Sequence, residues 1–76
     1  MIQTTLPDDA HQTDTMMFAF RDGAPVACGW KQGGARGRKW TARTLASWAS
    51  NGWEVQMMHK DDPATKALHD KVWRLA

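Results

Sequence analysis

The chain of 76 residues has a single cysteine, Cys28. No intrachain disulfide can form, and no structural zinc site built on cysteines. A lone thiol suits a reducing compartment. Long apolar runs are missing as well. No stretch approaches the ~20 apolar residues that a membrane-spanning helix needs. The opening MIQTTLPDDAHQTDT has neither an apolar run nor a basic lead, so it does not read as a signal peptide. The expectation is a soluble, cytoplasmic protein.

These absences shift the burden of stability onto packing. A domain of this size buries only roughly 60% of the surface its unfolded chain exposes. Five tryptophans help to fill so small a core, since each buries on the order of 150–250 Å². Self-association is the other available support, and a small homodimer burying its spare tryptophans is one expectation.

Acid is missing from one place in particular. No Asp or Glu lies between Lys31 and Arg43, a span that also carries Arg36, Arg38 and Lys39. These are half of the ten basic residues in a chain whose formal charge is only +2. Asp8, Asp9 and Asp14 make the N-terminus acidic instead. The charge is segregated rather than spread evenly.

Residues 1–14 read as a polar arm without periodicity, held only if Ile2 and Leu6 dock. The remainder, 15–76, reads as a single small α+β domain. TMMFAF, Thr15 to Phe20, is too short for a helix and reads as a strand. Asp22-Gly23 is a hairpin signal, because glycine tolerates positive φ. PVACGW, Pro25 to Trp30, reads as the returning strand. A two-residue turn there sets Phe18 opposite Ala27, Met16 opposite Gly29, Met17 opposite Cys28 and Ala19 opposite Val26. Apolar residues lie on both faces, so alternation alone does not fix that register. Pro25 lacks a donor and belongs at a sheet edge.

A helix follows, with Thr41 as its N-cap and Trp40 and Leu45 at staple spacing. Leu45, Trp48 and Ala49 form its apolar stripe. Gly52 closes it, with Trp53 positioned to pack back on Trp48. Trp53 to His59 alternates, so Trp53, Val55 and Met57 share the buried side of a strand, leaving Met58 on the polar side. Asp62-Pro63 starts a second helix, with Leu68, Val72 and Leu75 as its stripe. The order is β-β-α-β-α: a three-stranded sheet, one helix packed on a face, and a second C-terminal helix on that same face or against an edge.

The stretch KQGGARGRKW, Lys31 to Trp40, then reads as a basic loop between a strand and a helix. Three readings stand for it. It is a solvated loop, a grip on phosphates with Trp30 or Trp40 stacking on a base, or a contact for an acidic protein surface. It is not a P-loop, because GxxxxGK[ST] is absent. Lys31, Arg36, Arg38, Lys39 and Arg43 are the candidate electrostatic contacts. Trp30 and Trp73 are the candidate interface anchors, since tryptophan is enriched at hot spots. Cys28 with His59 makes a nucleophile–base pair only if their strands are neighbours. His59, Asp61 and His69 match no strong metal-ligand spacing. The chain reads as non-enzymatic, with no cofactor and no metal.

The plan resembles that of small phage-encoded inhibitors, among them anti-CRISPR proteins and the small phage inhibitor of bacterial RNA polymerase. The resemblance lies in size, a β-hairpin, one crossing helix and a strand entering as GWEV, Gly52 to Val55. It implies non-catalytic binding that blocks a host protein or ribonucleoprotein complex in the host cytoplasm. Direct nucleic-acid binding through residues 31–43 is the alternative.

Overall fold

The computed structural model describes residues 6–75, with the side chain of Leu75 excepted. Ile2 and the side chain of Leu75 therefore lie outside the described residues. The elements follow the expected order: β1 (His11–Arg21), β2 (Ala24–Gly33), α1 (Ala35–Ser50), β3 (Glu54–His59) and α2 (Pro63–Leu75). The strand order is β2-β1-β3, with β1 antiparallel to both neighbours. β2 and β3 are thus parallel to each other, and α1 is the crossover that joins them past β1.

The hairpin turn forms because Asp22 and Gly23 both take positive φ, 52° and 81°, as a type I′ turn demands. Arg21 pairs with Ala24 and Phe20 with Pro25, which is the register a two-residue turn dictates. It does not persist. From Ala19 onward the partners are Ala19–Ala27, Phe18–Cys28, Met17–Gly29 and Met16–Trp30. The pairs expected from the turn alone are each displaced by one residue. Val26 is the extra residue, a bulge beside the proline that cannot donate to the ladder. A second irregularity sets Thr13, Asp14 and Thr15 against Lys31 alone. Thr13 Oγ1 donates to the Lys31 carbonyl at 2.7 Å and accepts from the Thr15 amide at 3.3 Å, which satisfies backbone left over by the mismatch. β1 begins at His11, so residues 11–14 of the expected arm are strand.

Both faces of β1 are covered. Met16, Met17, Phe18 and Ala19 are all buried, yet successive residues of a strand point to opposite faces. Met16 pairs with Trp30, and both border a cavity with Thr65, Lys66 and His69 of α2. That places α2 over the Met16 and Phe18 face and leaves α1 to cover Met17 and Ala19. Both helices contact β2 and β3. The second helix thus lies neither beside the first nor at an edge, because two faces of the central strand require covering. Gly37, Thr41, Thr44, Leu45 and Trp48 form the inward stripe of α1, and Thr65, Leu68, His69 and Val72 that of α2.

β3 departs from its expected pattern. Met57 is 45% exposed, while Met58 is half-buried. Met58 pairs with the buried Met16 and shares its cover. Met57 stands on β3, an edge strand with no neighbour on its outer flank among the described residues. The helix ends behave as their local signals require. Gly52, φ 79°, follows the C-cap Asn51, and the amides of Gly52 and Trp53 donate to the carbonyls of Ala49 and Trp48, a Schellman ending. Asp62 Oδ1 accepts the amide of Ala64 at 2.9 Å and caps α2.

Candidate functional site

The basic segment is not a loop. Lys31 ends up on β2, and Arg36, Arg38, Lys39 and Arg43 all lie on α1, whose N-cap is Gly34 rather than Thr41. Gly34 has no side chain to cap with, and no acid lies in the first turn. The missing oxygen comes from the N-terminal segment. Asp9 Oδ2 accepts the amide of Arg36 at 3.0 Å. Thr41, read as a cap, is buried one face inward, where its Oγ1 accepts the amide of Gln32 at 2.9 Å. That bond ties the second turn of α1 to β2. Gly37 lets the first turns come close, since a Cβ there would stand 3.2 Å from Ala10 Cα and from Gln32 Cβ.

Forming a helix sorts the charges. Arg36, Lys39 and Arg43 are spaced i, i+3 and i+7, so they share one ridge. It faces away from the inward Gly37 and Thr41. Arg38 is turned onto another flank. Trp40 stands beside the ridge, half-buried. Pro7 approaches from the N-terminal segment, where Ala10 donates to the Pro7 carbonyl at 3.0 Å. Pro7, Arg36, Lys39, Trp40 and Arg43 together line a cleft of about 280 Å³. No acidic side chain lines it. Among the described residues none of its three cations makes an ion pair; the pairs found are His59–Asp61, Lys60–Asp14 and His69–Asp70. The Trp40 Nε1–H is buried with no acceptor, a rare state for an indole donor.

The anchors expected from the sequence are elsewhere. Trp30 lines the cavity on the α2 side, about 300 Å³, with Met16, Lys60, Thr65, Lys66 and His69. Trp73 is 63% exposed on α2. Its Nε1 donates to His69 Nε2 at 2.6 Å, and the rings lie 5.8 Å apart. One footprint cannot take in both Trp73 and the α1 ridge, because α1 and α2 cover opposite faces of the sheet. Pro7 and Asp9 went unread as parts of the site. The i, i+3, i+7 spacing of Arg36, Lys39 and Arg43 was the signal available for the ridge itself.

The reactive-residue readings do not assemble. Cys28 pairs with Phe18 on β2, and His59 pairs with Thr15 from β3, so all of β1 separates their strands. His59 Nδ1 lies 3.6 Å from Asp61 Oδ2, while His69 is engaged with Trp73 and Asp70. No group of three metal-ligating side chains forms among the described residues. Among them, too, no helix is long and apolar enough to cross a membrane. No protein-family model, curated protein or solved structure matches the chain.

Proposed function

We propose that this chain is a non-catalytic binding module of the phage-inhibitor kind, which docks on a host protein or ribonucleoprotein complex with the outward face of α1. One observation carries this reading. Arg36, Lys39 and Arg43 form a ridge on an ordered helix, flanked by Trp40, and none of the three makes an ion pair among the described residues. Unpaired cations on a rigid element keep their charge available to a partner, and they steer encounter with an anionic surface. The helix is also pre-organised, so little conformational freedom is lost on binding. Size and element order support the inhibitor comparison, and the net positive charge favours an anionic target.

The test is capture from bacterial lysate by tagged protein, with and without nuclease. The triple variant R36A/K39A/R43A should capture nothing, while R38A and W73A should capture what the parent does. A complex that survives nuclease places the contact on protein. One that nuclease removes transfers the ridge to direct nucleic-acid binding, with a loss on the order of 10–10³-fold in affinity between 50 and 200 mM salt for a few phosphate contacts. Undiminished capture by the triple variant would remove the ridge from the interface.

A further inference from the structure

The cleft beside the ridge has a chemistry narrower than "anionic". Three cations converge on it, and its remaining walls are an indole and a proline ring. A carboxylate-bearing peptide would use the charges but leave Trp40 and Pro7 facing water. A ligand that matches the whole lining must join an anion to a flat apolar group. The volume of about 280 Å³ lies near the ~300 Å³ lower end of small-ligand pockets, so it admits one such unit rather than a strand. We propose that the Pro7–Trp40 cleft is a subsite for a single phosphorylated nucleotide, its phosphate held by Arg36, Lys39 and Arg43 and its base against Trp40 and Pro7.

Each part of the lining then has a role. Arg36 and Arg43 offer forked donors to phosphate oxygens, and Lys39 between them adds a point charge. Every base has a π-face, so a Trp40 platform accepts any of them and reads no sequence. Asp9 does not cancel the site, because it does not line the cleft and its Oδ2 accepts the Arg36 amide. The inference rests on the ridge being the contact surface and adds what that surface holds.

The experiment is titration of the ¹⁵N-labelled full chain, read at the Trp40 indole N–H, which a W40F spectrum identifies. Probes are AMP, UMP, adenosine, inorganic phosphate and a short acidic peptide. AMP and UMP should shift the Trp40 resonance saturably and alike. Adenosine and phosphate alone should each bind about tenfold more weakly or worse, having lost one half of the contact. R36A/K39A/R43A, all at exposed positions, should abolish the AMP response while the other backbone resonances keep their dispersion, and R38A should keep the response. No Trp40 shift at AMP concentrations of roughly 10 mM, well above a millimolar dissociation constant, overturns the proposal. So does phosphate or the acidic peptide matching AMP. The source of the nucleotide is read by comparing AMP with a 5′-phosphorylated oligonucleotide. Tighter binding of the oligonucleotide assigns the subsite to a strand end; equal binding assigns it to free nucleotide. Silence toward AMP while the triple variant still loses its captured complex would sink the subsite and spare the docking reading. A clear AMP response with nothing captured would do the reverse.

Discussion

Asp9 accepts the backbone amide of Arg36 at 3.0 Å, across 27 positions of sequence. The residue that caps α1 therefore belongs to the acidic N-terminal segment, and the residue it caps is the first cation of the ridge. Replacing Asp9 with Ala should cost about 1 kcal/mol, the usual worth of a side-chain cap. The loss should be local. Amide exchange at Arg36 and Arg38 should quicken while the turns beyond Thr41 stay protected. Uniform loss of protection along α1 would contradict a local cap.

Thr41 carries a different bond with a larger penalty. Its hydroxyl is the acceptor for the Gln32 amide in a buried setting. Thr41→Val keeps the shape and strands that amide, so we expect a loss of about 1–3 kcal/mol in urea unfolding. Thr44→Val is the contrast. Thr44 Oγ1 only donates back to the Trp40 carbonyl in its own helix, and its loss should be smaller.

Gly34 holds the chain between β2 and α1 at φ 88°. An added Cβ would also fall against the Asp9 carbonyl oxygen. Gly34→Ala should therefore destabilise by more than about 1 kcal/mol, even though alanine entropically restricts the unfolded chain. A midpoint equal to the parent's would show that neither the backbone angle nor the Asp9 contact constrains the junction.

Burial pushes the Cys28 thiol above its ordinary value of 9.0. The folded state therefore holds this proton more tightly than the unfolded state does. That contribution to stability is complete below about pH 9 and is lost as pH rises through the folded-state value. Comparing unfolding midpoints of the parent and Cys28→Ala should show the parent losing more stability than the variant on the alkaline side. At neutral pH the thiol should react slowly with alkylating agents when folded and faster in denaturant.

What could be read in the sequence was what short-range chemistry decides. Asp22-Gly23, Asn51-Gly52-Trp53 and Asp62-Pro63 each contain their whole signal within a few residues, and each forms the turn or helix end expected of it. The start of α1 was misplaced because its cap lies on another segment, and Thr41, a residue type suited to capping, gives its hydroxyl to the Gln32 amide instead. The register of β2 depended on a bulge at Val26 that no pattern of apolar residues announces. The face covered by α2 followed from four buried neighbours in β1, a tertiary fact. The candidate charges were visible, but only the helix shows that Arg36, Lys39 and Arg43 share one ridge, that Arg38 and Lys31 stand apart from it, and that Trp73 lies on the other helix.

The middle of β1 has one more consequence. MMFAF, Met16 to Phe20, is uncharged and β-prone, the kind of segment that assembles edge to edge when free. In the native sheet it occupies the one strand position with no open edge, paired on one side by β2 and on the other by β3. The short β3 thus acts as a guard as well as a strand. Substitutions that loosen it should shorten the chain's life in solution by aggregation before they show as lost binding on α1.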